Sequence, residues 1–377
     1  MRPPRNALFA LILGGGLAAA ASGQTPLLLI PDTQADRISA FSPTDGSVVD
    51  LNFIPKDGRM KQVVQVVQTP WNTLLMADFE ANSIWEYGFD GQYIGTFVDT
   101  ATLGFPVAPG ASRGVQGICI AYGKIWFTFN DVTGTGADNR NAIWSVEFDG
   151  SDPHAAFRAI DIPALGQLRG IVPWNGGFLV ADSGNPSGQS DDIEFISLTG
   201  QVSTPTWYNS TAAGASERLE FPQQLSIAND GKVLAATFSA SAGAHEIDPE
   251  TRTLWRYRSP TLGLGCRGVF ALENGNWLMT GGTRVVTMEP FTGTNSNIVN
   301  ITTQNGGYNA SFRWVSRVDR PAFFGDLDGS NTVDAGDIAI SLLDYGPCPG
   351  CPADIDGSGE VDFGDVALIL LSVGPCN

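Results

Sequence analysis

The segment Leu74-Leu75-Met76-Ala77-Asp78, followed three residues later by Asn82-Ser83-Ile84-Trp85-Glu86-Tyr87 and then Gly88-Phe89-Asp90-Gly91-Gln92, decides the fold. A five-residue apolar run ending in an acid has the length of a strand covered on both faces, and Asp-Gly after the next run is a hairpin signal. The same order recurs along the chain. Equivalent apolar runs begin at Leu28, Ile125, Phe178, Val233 and Trp277, so successive starts are 46, 51, 53, 55 and 44 residues apart. Loops after these runs lead into Arg37-Ile38-Ser39-Ala40-Phe41, Ala142-Ile143-Trp144-Ser145-Val146 and Asp192-Ile193-Glu194-Phe195-Ile196, and Phe148-Asp149-Gly150 repeats the turn. A period near fifty with four short strands per unit predicts a mainly β fold, a six-bladed β-propeller over 24–320. The first unit lacks an inner strand, and the spare run 311–317 is expected to supply it, closing the ring with both chain ends.

The blades resemble those of NHL-repeat and TolB-like six-bladed propellers, a likeness of pattern that implies architecture rather than activity. Composition agrees with a turn-rich β protein: 45 Gly and 23 Pro in 377 residues, with 16% charged, exclude a coiled coil or helical solenoid. With 43% hydrophobic and 10% aromatic residues the chain can bury a large core. A net charge of −18 argues against nucleic acid or an anionic membrane as partner. Arg2 and Arg5 precede an apolar run over 7–20, and Ala21-Ser22-Gly23 offers a cleavage site, so 1–23 reads as a signal peptide and the mature chain as secreted, extracellular or cell-surface associated. Export permits disulfides, but pairing among Cys119, Cys266, Cys348, Cys351 and Cys376 is left open, with a local bridge at Cys348 and Cys351 expected.

Counting nine positions back from each second run gives Gln65, Gln116, Arg169 and Gln224; Arg267 lies ten back, and Arg313 is the equivalent on the closing strand. Asp32, Asp78 and Asp182 end second runs toward the same face, where the longest loops also emerge. These nine residues form a candidate ligand-binding rim, the arginines favouring an anionic or polyhydroxylated ligand such as a glycan. The alternative role is structural: Asp capping turns, and Gln or Arg bonding carbonyls of adjacent blades. Catalytic residues are not identifiable. The two histidines, His154 and His245, lie in separate blades, and His245 beside Glu246 is expected at the surface.

From residue 323 onward the chain holds ten acidic residues and no Lys or Arg. Two twelve-residue loops begin 28 residues apart, at Asp326 and Asp354. Oxygen-bearing side chains fall at loop positions 1, 3, 5, 9 and 12, and position 7 can offer a carbonyl, which is a calcium geometry. Gly359 and Asn331 sit at position 6, where the loop turns sharply. An amphipathic helix follows each loop, with Ile338, Leu342 and Tyr345 in the first and Val366, Leu370 and Val373 in the second.

Two loop-helix units with no helix ahead of either loop resemble the type I dockerin over 325–377. The repeated Gly346-Pro347-Cys348 and Gly374-Pro375-Cys376 resemble its cysteine-bearing, planctomycete-like variety. The resemblance implies two F-hand calcium sites (Ca2+, two ions). Asp326, Asp328, Ser330, Thr332, Asp334 and Asp337 would be the first ligand set, and Asp354, Asp356, Ser358, Glu360, Asp362 and Asp365 the second. It also implies a cohesin-like partner or cell-surface component. The function expected is a secreted binding or scaffold propeller anchored through that module; the competitor is a dockerin-borne polysaccharide-degrading hydrolase or lyase. Enzymatic activity is left undecided.

Overall fold

The computed structural model describes residues 25–99, 102–103, 113–131, 141–158, 161–162, 165–184, 191–203, 206–210, 218–238, 243–259, 265–300, 311–320, 325–328, 332–348, 351, 353–355, 359–371 and 373–375. The signal segment 1–23, Ser330, Asn331, Asp356, Ser358 and Cys376 lie outside them. So do most of the long loops assigned to the rim face. The chain divides into two compact units, Leu27–Val318 and a second that includes Asp319–Asn377.

The larger unit is the six-bladed propeller. Its second blade shows the plan: Val63–Gln68, Leu74–Asp78, Ser83–Tyr87 and Tyr93–Val98 pair antiparallel in chain order from the inner to the outer strand. The third, fifth and sixth blades repeat it with four strands each. Among the described residues the fourth has three, Leu168–Trp174, Gly177–Asp182 and Asp192–Ser197, with single bridges from Ile193 to Tyr208 and from Ile196 to Val202 along its outer edge. In the first blade the chain ends meet as expected: Ser316–Arg320 is the inner strand beside Thr25–Asp32. The regular pairing begins five residues later than the run 311–317 suggests. Phe312 makes only a bridge to Asp32, and Trp314 N–H instead donates to Val64 C=O of the second blade at 3.2 Å.

Burial on two faces explains why the second strands read as unbroken apolar runs. Leu27 and Leu29 face the second blade, packing with Met60, Val66, Leu74 and Met76. Leu28 and Ile30 face the sixth, packing with Leu272, Leu278 and Val285. Four more clusters of this kind fill the remaining gaps between blades. His245 belongs to this interior and not to the surface: it is fully buried, its ring 4.7 Å from that of Tyr257. Strand alternation puts it there, since it pairs opposite Ala235 in a blade covered on both sides.

The smaller unit contains α1 (Ala335–Leu343) and α2 (Phe363–Leu371), held by two reciprocal two-residue ladders. Thr332–Val333, ahead of α1, pairs with Gly374–Pro375 after α2, and Glu360–Val361, ahead of α2, pairs with Gly346–Pro347 after α1. The repeated Gly-Pro therefore serves as the strand that each half receives from the other. A disulfide joins Cys348 to Cys351, and the buried Cys119 and Cys266 are free thiols.

Candidate functional site

Seven of the nine rim residues lie in the inner or second strands, while Arg267 directly precedes Gly268–Ala271 and Arg313 precedes Ser316–Arg320; the structure adds a feature the sequence did not reveal. Pairing of inner with second strands slips between Val63 and Gln65, between Val115 and Ile118, between Leu168 and Ile171, and between Pro222 and Leu225. In three blades the skipped stretch contains the predicted rim residue, Gln116, Arg169 or Gln224, and in the second blade it is Val64, directly before Gln65. A bulge there re-aims one side chain without disturbing the rest of the strand.

Two glutamines spend their amides between blades. Gln65 Oε1 accepts from Ile118 N–H at 2.9 Å. Gln224 spans from the fifth blade to the first, donating to Val315 C=O at 2.5 Å and accepting from Val315 N–H at 2.9 Å. Gln116 is buried. The three aspartates hold backbone. Asp78 accepts from Lys61, Gln62 and Ala81 N–H, and Trp85 Nε1 donates to it at 3.3 Å. Asp182 accepts from Gly166 and Gly184 N–H, and Asp32 from Gln34, Ala35 and Ser311 N–H. In each case the carboxylate ties the segment leading into the inner strand to the end of the second strand.

The arginines differ. Arg169 Nε donates to Ser183 Oγ at 2.7 Å with its guanidinium 4.1 Å over the Phe221 ring, and Arg267 stacks 3.8 Å over Phe238. Arg313 Nε reaches Thr33 Oγ1 at 3.3 Å. None of the three forms an ion pair with a described residue.

The fourth blade also carries carboxyl groups pushed upward, chiefly by burial: Asp182 to about 7 and Glu194 to about 8. A carboxyl raised in the folded state binds protons on folding, so its contribution is complete below the unfolded value near 4 and is lost as pH climbs through 7 to 8. The urea midpoint of the propeller is therefore expected to fall between pH 5 and pH 8. Glu194→Gln, which removes one titration while keeping the shape, should fall less over that range. Parallel curves for the two proteins would remove Glu194 from the account.

In the smaller unit the two loops make the same bonds at the same positions. Asp337 Oδ1 accepts from Leu327 N–H at 2.6 Å and its Oδ2 from Asp334 N–H at 2.8 Å; Asp365 does likewise with Ile355 at 2.7 Å and Asp362 at 2.8 Å. Asp334 and Asp362 cap α1 and α2, each accepting from the N–H two residues on at 2.6 Å. Position 12 thus clamps the loop start to the helix start. Of the first predicted ligand set, Asp326, Asp328 and Asp337 bring one oxygen each within 4.8 Å of one another, while Asp334 turns its side chain to its helix. In the second, Asp354 Oδ2 accepts from Gly359 N–H at 2.9 Å, and its Oδ1 is buried without a hydrogen-bond partner among the described residues. Gly359 has φ +90, the left-handed turn expected at position 6. Thr332 and Glu360 occupy position 7 within the short ladders.

The apolar stripes of the helices are oriented differently from expectation. Asp337 with Ser341, and Asp365 with Ile369, occupy the inner i, i+4 faces, because position 12 must point into its loop. That rotation leaves Leu342, Leu343, Phe363 and Leu370 exposed, Leu343 at 85% and Phe363 at 74%, while Tyr345 and Val373, expected on the helices, lie just beyond their ends and are exposed too. Tyr345 and Phe363 meet edge to face at 5.4 Å between centroids.

Similarity to solved structures confirms the propeller class. The nidogen/laminin complex matches with a TM-score of 0.57 and 13% identity, covering 78% of this chain and 98% of that one. A protein of unknown function from Bacteroides caccae matches with a TM-score of 0.51 and 14% identity over 79% and 99% of the two chains. A streptogramin B lyase aligns at a TM-score of 0.43 and 15% identity over 76% of this chain and 87% of that one. No family model and no curated protein matches the sequence. The chain is a six-bladed β-propeller with a small helical C-terminal part, and among the described residues no helix is long and apolar enough to cross a membrane.

Proposed function

We propose that this is a secreted propeller serving as a binding or scaffold module, assembled at the cell surface through a two-calcium, dockerin-like docking module that engages a cohesin-like partner. The observation carrying this reading is the duplicated loop clamp, in which Asp337 and Asp365 make the same backbone bonds 28 residues apart. The donor sets fit calcium. All-oxygen sites with several carboxylates suit a hard cation, and the unpaired buried oxygen of Asp354 has no other described use. Asp326, Asp328, Asp337 and the carbonyl of Thr332 would hold one ion, joined by Ser330; Asp354, Asp365 and the carbonyl of Glu360 would hold the other, joined by Asp356 and Ser358. The ion supplies positive charge that lets these acids share a small volume. The exposed apolar residues on α1 and α2, with Tyr345 and Val373 just beyond them, are then the docking face, of a character that favours a protein partner.

The test is capture by the immobilised full chain from the extracellular proteome of its source, in calcium and then in chelator. A cohesin-like protein retained only in calcium, and lost with Phe363→Ser, is the expected result. Retention indifferent to both chelator and Phe363→Ser would contradict the docking reading.

A further inference from the structure

Three guanidinium groups in the propeller, those of the buried Arg169 and Arg313 and the partly buried Arg267, form no ion pair with a carboxylate among the described residues. Arg169 lies in the inner strand of the fourth blade, Arg267 directly ahead of Gly268–Ala271 in the sixth, and Arg313 on the closing segment of the first. Arg169 is 7% exposed and Arg313 9%. Beyond the single Nε bonds of Arg169 and Arg313, their forks have no described hydrogen-bond partner, and Arg267 Nε is buried with none. Buried charge is normally paired, because removing an ion from water is costly.

The three converge. The rings under Arg169 and Arg267, Phe221 and Phe238, are 6.4 Å apart, so the two stacked cations stand on adjoining aromatic faces. Arg267 and Arg313 share Thr280: its C=O accepts from Arg267 N–H at 2.7 Å and its hydroxyl donates to Arg313 C=O. A Cβ on Gly268 would stand 2.9 Å from Arg313 O and 2.8 Å from Gln224 Oε1, so glycine is what lets these backbones meet. Phe221 is also held at φ +58, an uncommon conformation for a bulky residue and one that Pro222 makes harder still. Asp191 Oδ2 fixes it by accepting from Phe221 N–H at 2.9 Å. Strain maintained in this way under a stacked arginine is the pattern of a site rather than of a packing accident.

Burial pushes Arg169 down to about 10, with Asp191 opposing and Arg313 adding repulsion. Arg267 falls to about 9 through burial and then the fields of Arg313 and Arg169, and burial takes Arg313 to about 10. A guanidinium keeps its proton at neutral pH, so the cluster stays cationic and self-repelling until an anion joins it.

We propose that Arg169, Arg267 and Arg313 form a binding site for a multivalent carboxylate. The guanidinium fork matches a carboxylate in two parallel hydrogen bonds, and stacking on Phe221 and Phe238 fixes two of the forks in advance. Two sources share this chemistry, a free dicarboxylate and a run of uronic acids in an acidic glycan. The site does not depend on calcium-mediated docking, so chelator that abolishes docking should leave it intact.

The experiment uses the full chain in calcium-containing buffer, following propeller unfolding and titration calorimetry with succinate, trigalacturonate and inorganic phosphate. One of the two carboxylates should raise the unfolding temperature and bind, identifying the source. Arg267→Met, which keeps the stem and removes the charge, should be more stable than wild type without anion and should weaken binding by about tenfold or more. Arg313→Met should weaken it likewise, and Arg267→Lys should restore part of the affinity. Phosphate binding more tightly than either carboxylate would overturn the ligand class. Absence of binding by all three anions, or carboxylate affinity unchanged in both Met variants, would overturn the site.

Discussion

Withdrawing calcium from the full chain should unfold the C-terminal unit and leave the propeller transition where it was. Each loop gathers acids that no Lys or Arg from 323 onward can offset, and the Asp326, Asp328 and Asp337 oxygens lie within 4.8 Å of one another. The unit has little else to hold it. Its helices are nine residues each, its ladders two, and much of its apolar surface faces outward. Ions bound to the folded form alone stabilise it by about 4 kcal/mol per site when calcium is a thousandfold above Kd. For a unit this small that approaches the whole of its stability. Differential scanning calorimetry should show two transitions in calcium. The first should disappear or fall steeply with chelator, and Asp326→Asn with Asp354→Asn should reproduce that loss in the presence of calcium. The Cys348–Cys351 bridge closes too short a loop to substitute for the ions.

Phe312→Ala should cost the propeller about 3–5 kcal/mol, the range for emptying a well-packed aromatic site. Phe312 is fully buried among Leu28, Ile30, Phe41, Leu272 and Leu278, so it packs on both blades that meet at the ring closure. Its N–H donates to Gly282 C=O, and its neighbours fasten the ends: Arg313 N–H to Pro31 C=O, Thr33 N–H to Ser311 C=O, and Ser311 N–H to Asp32 Oδ1, all at 2.9–3.0 Å. These contacts join residues roughly 280 apart, where the entropy of closing the ring must be overcome. The urea midpoint should drop sharply with an unchanged slope, whereas Val49→Ala on an exposed outer strand should shift it little. Equal, small effects of the two substitutions would mean that the ring is not closed through Phe312.

The propeller was legible because its period is imposed by packing. Every second strand lies between two blades, so 74–78 and its equivalents are mostly apolar, and in the first, second and fourth blades an Asp ends the run where the chain turns. The bulges were not legible, since a two-for-one register leaves no residue type behind. Without them the sequence placed Gln65, Gln224 and the three arginines on one rim but could not show that the glutamines join blades while the arginines lack ionic partners. His245 was misread because one histidine beside a glutamate carries no sign of which strand face it takes. In the loops, the 28-residue repeat disclosed the acids. It did not disclose that position 12 fixes each helix's rotation and turns Leu342 and Leu370 outward, or that the helices end before Tyr345 and Val373.

The duplicated loops of this chain are expected to hold metal. Calorimetric titration of calcium into chelator-stripped full-length protein measures it most directly. Two ions per chain are expected, falling to one in either Asp337→Asn or Asp365→Asn; no saturable uptake, or uptake unaltered by both substitutions, would mean that the loops are not metal sites.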